Sequence, residues 1–219
     1  MQLPAELVRE MFRCGVVQVN TDTGFLLAAG GRSPLYLDHR RLFGVPGLRE
    51  AALDVWAGAL RGFMVSLLEG AGAVWSARDW CLAGTATAGI APAFGLATRL
   101  GCSFAYVRSG AKGHGLARTV EGAEIKGLRV IMVDDMVTTG ASLLQAADNV
   151  RLEGKETGVS VLGATSFTSR LARTGLGSPV ALPFFSVVTV SGLLEEARRL
   201  ELVPAGQWPV LKSWLAELR

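Results

Sequence analysis

The stretch VIMVDDMVTTGAS, residues 130–142, places two aspartates directly after an uninterrupted apolar run. An apolar run without alternation is typical of a strand that is buried on both faces of a parallel sheet. The carboxyl ends of such strands are where open α/β sheets bind their ligands. Because adjacent strand residues point to opposite faces, Asp134 and Asp135 need not share one role.

The residues after the aspartates predict a turn into a helix that carries the groups needed to bind a phosphate. Gly140 allows the backbone to approach a ligand closely. The amides of the helix start and the hydroxyls of Thr138, Thr139 and Ser142 would complete a phosphate cradle. Carboxylates beside a phosphate indicate a cation or ribose hydroxyls, so the pattern fits a phosphorylated sugar with Mg²⁺. The pattern leaves open a helix N-cap beside a solvated acid, but it excludes a Walker-type loop, whose lysine is missing.

Outward from this stretch, short apolar runs alternate with segments of helical character. The predicted strands are WCLAG, SFAYV, LRVIMVDD, GVSVLGATSF and FFSVVTV. The predicted helices are PAELVREMFR, VPGLREAALDVWAGALRGFMVSLLEG, IAPAFGLATRLG, ASLLQAADNVRLEG, SGLLEEARRLELV and QWPVLKSWLAELR. Such alternation indicates βαβ units and a parallel sheet flanked by helices. We therefore predict one α/β domain with a small N-terminal addition that contains a strand pair.

The composition is that of a globular protein, and it argues against several classes of partner. Half of the 219 residues are hydrophobic, and 22 basic against 19 acidic residues give a net charge of +3. This charge is too small to indicate a nucleic-acid partner. The long uncharged runs are broken by glycine and proline, so we predict no membrane span. The odd set of cysteines, Cys14, Cys81 and Cys102, and the lack of a signal peptide predict free thiols in the cytoplasm.

The stretch at 130–142 resembles, at every position, the phosphoribosyl pyrophosphate (PRPP) motif of the type I phosphoribosyltransferases. Other segments narrow the resemblance to the orotate phosphoribosyltransferases. These segments are FLLAAGGRSPLYLD with Gly30, Arg32, Ser33, Pro34, Tyr36 and Asp38, AGTATAGI from Gly84 to Gly89, YVRSGAKGHG with Arg108, Lys112 and His114, and the ending VTVSGLLEEARRLELV. The segments occur in the family's order, and the resemblance covers nearly the whole chain.

The resemblance implies a single domain, residues 1–219, with the type I phosphoribosyltransferase fold. Its core would span about residues 46–190, and about residues 1–45 together with C-terminal elements would form a small base-side subdomain, the hood. The implied reaction is transfer of the phosphoribosyl group of PRPP to orotate, a step of pyrimidine synthesis. Mg²⁺ would be bound mainly through PRPP, near Asp134 and Asp135, with no protein ligand firmly assigned. A homodimer is also implied, in which the loop from Arg108 to Gly122 serves the partner's site.

The resemblance also assigns individual residues to the site. The catalytic residues are Arg108, Lys112, His114, Asp134 and Asp135. The residues that bind PRPP are Thr85, Ala86, Asp134, Asp135, Thr138, Thr139, Gly140 and Ser142. The residues that bind the base are Arg32, Tyr36, Thr138 and Arg170. The other histidine of the chain, His39, is predicted to be structural.

A few positions depart from the family's pattern and leave alternatives open. Ser109 and Gly110 stand where the family usually has a further lysine, and Ala29 stands where serine is usual. These departures leave room for a transferase that uses another base or is weakly active. A further alternative is a regulator that binds PRPP without catalysis. The segment before Phe25 is too short for a helix-turn-helix domain, and no dense basic face is visible, so this alternative has little support.

Overall fold

The computed structural model describes residues 2–27, 30–69, 74–108, 119–171 and 182–217. Its strands are β1 (Val17–Val19), β2 (Phe25–Leu26), β3 (Arg32–Ser33), β4 (Leu35–Leu37), β5 (Trp80–Thr85), β6 (Ser103–Val107), β7 (Val120–Gly122), β8 (Arg129–Val137), β9 (Ser160–Ser169) and β10 (Phe184–Thr189). Its helices are α1 (Ala5–Arg13), α2 (His39–Gly44), α3 (Pro46–Ser66), α4 (Ile90–Leu100), α5 (Ala141–Glu153), α6 (Val190–Arg199) and α7 (Trp208–Glu217). The strands and helices predicted from the sequence all have counterparts, and β1, β7 and α2 are additional.

A six-stranded sheet forms the centre of the molecule, with the strand order β10-β9-β8-β5-β6-β7. Neighbouring strands are parallel, except that β7 runs antiparallel to β6. β8 therefore lies between two parallel neighbours, β5 and β9. This arrangement confirms the mostly parallel α/β fold, and it explains why the apolar run in β8 shows no alternation.

Both faces of this sheet carry a hydrophobic core, and successive residues of β8 enter the two cores in turn. Ile131 and Val133 belong to the larger core, to which α1, α3, α4 and α6 contribute. Val130 and Met132 belong to the other core, to which α5 contributes. The alternation brings the last residues of β8 out on opposite faces of the sheet.

Smaller elements lie outside this sheet. β1 pairs with β4 and β2 pairs with β3, both antiparallel. Leu35 of β4, Met136 of β8 and Trp214 of α7 line one cavity, so elements from both ends of the chain meet near the carboxyl end of β8. Among the described residues, none of the helices combines the length and the apolar character that crossing a bilayer requires.

Candidate active site

The two aspartates at the end of β8 have different surroundings. Asp134 is partly buried, and its Oδ1 accepts a hydrogen bond of 3.0 Å from the backbone N–H of Asp135. Asp135 faces the opposite side of the sheet, where its Oδ2 lies 3.6 Å from Nδ1 of the buried His39. The sequence-based expectation that the pair need not share one role therefore agrees with the environment of each side chain.

The environment of Asp134 disfavours its charged form. Burial raises the pKa of Asp134 to about 7, and the charge of Asp135 adds to the shift, while a hydrogen bond with the Thr85 hydroxyl opposes it. A cation or a set of hydroxyl donors placed beside this carboxyl would favour the charged form. The carboxyl is thus suited to a ligand that brings positive charge or hydroxyl groups.

The turn after β8 has the geometry of a phosphate cradle. Gly140 precedes α5 with a φ of +83°, a left-handed conformation that favours glycine. The first intrahelical hydrogen bond of α5 runs from Leu144 N to Gly140 O, so the amides before it have no acceptor within the helix. A small cleft is lined by Asp134, Met136, Val137, Thr138, Thr139, Gly140, Ala141, Ser142 and Leu143. The hydroxyl-bearing residues at 138, 139 and 142 are exposed in this cleft, where they can contact an anion.

The turn after β5 packs tightly against β8 beside this cleft. A Cβ on Gly89 would lie 2.4 Å from the carbonyl oxygen of Val133 and 2.7 Å from the Thr85 hydroxyl. The amide of Ala86 donates to the carbonyl of Val107 at 2.9 Å, which fixes the turn to β6 as well. Thr85 and Ala86 are therefore held next to the carboxyl end of β8 by close backbone contacts.

Arg108 follows β6, at one end of the predicted catalytic loop. Its Nη1 donates to Glu121 Oε1 at 3.0 Å, and its amide donates to the Thr119 carbonyl at 2.9 Å. On the other end of the loop, the hydroxyl of Thr119 donates to Glu153 Oε1 at 2.6 Å. The two ends of the loop are thus joined to each other and to α5.

A cavity of about 450 Å³ adjoins the small cleft that follows β8, which we call the phosphate cleft. Its lining residues are Leu27, Leu35, Tyr36, Leu37, Met136, Thr138, Thr139, Arg170, Val190 and Trp214. The cavity and the cleft share Met136, Thr138 and Thr139. A molecule in the cavity would therefore lie next to a phosphorylated ligand in the cleft.

Arg170 supplies the positive charge of this mostly apolar cavity. Its Cζ lies 5.5 Å from the centre of the Trp214 ring, a cation–π contact. Its Nε is buried and has no hydrogen-bond partner among the described residues. Burial lowers the pKa of the Arg170 guanidinium below its ordinary value. A buried, unsatisfied donor of this kind is costly unless a ligand satisfies it, so Arg170 is suited to an anionic group on that ligand.

Comparisons with known proteins agree with this geometry. Residues 73–173 match the model of the phosphoribosyl transferase domain family. Orotate phosphoribosyltransferase from Bacillus pumilus is 31% identical over 214 residues, covering 97% of this chain and 93% of that protein. The chain belongs to the orotate phosphoribosyltransferases.

Two solved structures show a similar architecture. Orotate phosphoribosyltransferase from Aeropyrum pernix superposes with a TM-score of 0.64 at 30% identity, covering 90% of this chain and 99% of that one. UMP synthase from Leishmania donovani superposes with a TM-score of 0.73 at 23% identity, a level at which the likeness concerns the fold alone. This superposition covers 97% of the chain but only 42% of the longer UMP synthase chain.

The structure brings most of the residues expected for an orotate phosphoribosyltransferase to one place. Around the carboxyl end of β8 it gathers Thr85, Ala86, Asp134, Asp135, Thr138, Thr139, Gly140, Ser142, Tyr36 and Arg170. Lys112, His114, Ser109, Gly110 and Ala29 lie outside the described residues, so the predictions on them stay predictions.

Arg32 does not line the cavity. Its Nη1 donates to the carbonyls of Thr23 at 2.7 Å and Gly24 at 3.2 Å, on an exposed turn. These contacts occupy Nη1 of its guanidinium. The role predicted for Arg32 in base binding stays a prediction.

Several lining residues of the site were not predicted from the sequence, and Trp214 and Met136 are two of them. Trp214 lies in a predicted C-terminal helix but was assigned no role of its own, and it lines the cavity. Met136 was assigned no role, yet it lines both the cavity and the cleft. Met136 packs against the larger core, although strict alternation from Met132 would place it on the other face, so the local pattern does not reveal its position. No local signal connects Trp214 with Arg170 either.

Proposed function

We propose that this chain transfers the phosphoribosyl group of PRPP to orotate, giving orotidine 5′-monophosphate and pyrophosphate in the synthesis of pyrimidines. The observation that carries the proposal is the apolar cavity with Arg170, joined to a phosphate cleft through Thr138 and Thr139. Orotate is a flat ring with a carboxylate, and an arginine guanidinium matches a carboxylate in charge and shape. The relatives named orotate phosphoribosyltransferase support the same assignment.

The sugar phosphate would bind along the end of β8. The 5′-phosphate would accept hydrogen bonds from the first amides of α5 and from the hydroxyls of Thr139 and Ser142. The ribose hydroxyls would donate to Asp134 and Asp135. As the bond to pyrophosphate breaks, positive charge grows on the sugar, and the two carboxylates would stabilise it. Binding energy from the distant phosphate would help to hold the reacting carbon beside the base.

Arg108, Lys112 and His114 are proposed to stabilise the negative charge on the departing pyrophosphate. Arg108 is already placed at the loop's base by its ion pair with Glu121. The roles of Lys112 and His114 rest on the family resemblance, because residues 109–118 are not described.

Mg²⁺ is proposed as the cofactor, and the carboxyl groups at the end of β8 fit it. Asp134 and Asp135 would supply oxygen ligands, and Mg²⁺ is commonly held by one or two carboxylates together with substrate phosphates. No cluster of three or more His, Cys, Asp or Glu side chains forms a metal site within the described residues, so PRPP would supply most ligands. When bound, Mg²⁺ would neutralise charge on the pyrophosphate.

The overall reaction can be tested directly. The purified chain is incubated with PRPP, Mg²⁺ and orotate, and the loss of orotate absorbance is followed, with uracil, adenine and hypoxanthine as competing bases. Consumption of orotate alone supports the proposal. Turnover of another base would reassign the substrate, and PRPP binding without turnover of any base would favour the regulator.

Arg170→Gln provides a sharper test of the base site. Losing a charged hydrogen bond to the carboxylate should raise KM for orotate roughly 10- to 100-fold and leave KM for PRPP nearly unchanged. Arg198→Gln is the matched control, because Arg198 also lies over a tryptophan, Trp208, but does not line the cavity. An Arg170 variant with unchanged KM for orotate would show that Arg170 does not bind the orotate carboxylate.

The arrangement of subdomains and subunits is also proposed. Elements before α3 and the C-terminal α7 would act together as the hood over the base, while the central sheet binds PRPP. The active form would be a homodimer in which the loop from Arg108 to Gly122 serves the partner's site. A cytoplasmic location remains a prediction, supported by cysteines that form no disulfide.

Mixing two inactive variants tests the shared site. In a dimer of one Lys112→Ala chain and one Asp135→Asn chain, one site combines an intact loop with intact aspartates. Random exchange should therefore restore about a quarter of wild-type activity, since about half of the dimers are mixed and each has one good site. Mixing Lys112→Ala with His114→Ala is the control, because both changes lie in the same loop and cannot complement. If subunits exchange and the first mixture stays inactive, the loop serves its own chain.

A further inference from the structure

His39 is a buried histidine with a polar partner on each ring nitrogen. It is the first residue of α2 and is 2% exposed. Its Nε2 lies 2.8 Å from the hydroxyl of Thr168 on β9, and its Nδ1 lies 3.6 Å from Oδ2 of Asp135. The ring also meets Phe167 edge-on, with centroids 6.0 Å apart. His39 thus links α2, which follows the base-side strand β4, to the end of β8.

The partners determine which nitrogen carries the hydrogen. A carboxylate can only accept, so the N–H belongs on Nδ1, and Nε2 then accepts from the Thr168 hydroxyl. The 3.6 Å contact with Asp135 is longer than a hydrogen bond, but such contacts commonly tighten when substrate binds.

We propose that His39 is a positioning residue for the transfer, and that it holds the Asp135 carboxyl in the orientation that receives the ribose. The Thr168 hydroxyl fixes the ring, and Nδ1–H directs the carboxyl. This inference rests on the proposed function of Asp135, and it replaces the purely structural role predicted from the sequence. Groups that orient a functional side chain in this way typically contribute roughly 10- to 100-fold to activity.

Two substitutions at His39 separate the two contacts. The amide nitrogen of asparagine comes close to the position of Nδ1, whereas that of glutamine comes close to Nε2. His39→Asn should therefore retain most of kcat, while His39→Gln should lower kcat on the order of 10-fold or more with a smaller change in KM for PRPP. In an Asp135→Asn background, His39→Gln should have almost no further effect on kcat, because the carboxyl that it positions is gone.

Thr168 and Thr165 give a second, matched pair that does not alter the histidine. Both are fully buried on β9 and bond to a core ring, since Trp56 Nε1 donates to Thr165 Oγ1 at 2.9 Å. Thr168→Val and Thr165→Val should lower the Tm alike, but only Thr168→Val should lower kcat, and Thr168→Ser should restore it. If the histidine variants do not fold, the two threonine variants still test whether the contact between Thr168 and His39 supports turnover.

The outcomes separate this inference from the proposed function. A wild-type chain that does not consume orotate would refute both. With an active wild type, equal kcat losses in His39→Asn and His39→Gln, or full additivity with Asp135→Asn, would show that His39 only fills the core. Equal kcat in the two valine variants would lead to the same conclusion.

Discussion

Asparagine in place of Asp134 or Asp135 is expected to lower kcat/KM for orotate and PRPP by about 100-fold or more. Each change keeps the size of the side chain but removes a negative charge that, in the proposed reaction, would face the sugar as positive charge grows on it. The loss should therefore appear mainly in kcat. Steady-state kinetics of the two variants provide the measurement.

Asp148→Asn is a suitable control for these variants. Asp148 lies on α5 and forms a surface pair with Arg151 at 2.9 Å. Its removal should change kcat/KM by less than about twofold, since exposed pairs contribute little. Wild-type kinetics in both Asp134→Asn and Asp135→Asn would show that the end of β8 is not the sugar site.

The same Asp134 variant should gain thermal stability. Burial raises the pKa of Asp134 from an ordinary 3.8 to about 7, so the unfolded chain releases this proton at lower pH than the folded chain does. The group therefore destabilises the fold increasingly as pH rises between these two values. Near pH 7.5, the Tm of Asp134→Asn should lie roughly a few degrees above that of the wild type. This difference in Tm should narrow near pH 5. A variant that loses both activity and stability would contradict this account of the carboxyl.

Alanine at Gly89 is expected to displace the turn after β5 and to reduce activity on the order of 100-fold. The added Cβ would lie 2.4 Å from the Val133 carbonyl oxygen and 2.8 Å from the Thr85 amide. Backbone atoms at these positions cannot rotate away, so the turn itself must move from the end of β8. The same overpacking should lower the free energy of unfolding by about 1–3 kcal/mol.

Gly62→Ala is the control for replacing a glycine by alanine where the added Cβ has room. Gly62 lies on the exposed side of α3, and a Cβ there meets no atom within 4 Å. Alanine at this helical position should stabilise the fold by about 0.5–1 kcal/mol and leave kinetics unchanged. Thermal melts and orotate turnover of both glycine variants give the comparison. If Gly89→Ala matched Gly62→Ala in stability and in orotate turnover, the turn after β5 would accommodate the Cβ without displacing the site.

The sequence by itself determined the fold class and the position of the candidate phosphate cleft. β8 and the turn that follows it form one contiguous stretch, and its apolar run, paired acids and glycine each act through local geometry. Strand alternation and the need of Gly140 for a positive φ depend only on near neighbours in the chain. For this reason the order of strands and helices and the position of the cleft could be predicted before any coordinates were known.

The tertiary structure alone decided the long-range contacts around this site. His39 and Thr168 are separated by 129 positions, and no local pattern predicts that they meet beside Asp135. The cation–π contact of Arg170 with Trp214 likewise joins distant elements. The raised pKa of Asp134 depends on burial by several strands and helices. Burial and long-range contact result from the packing of the whole chain, so only the packed fold determines them.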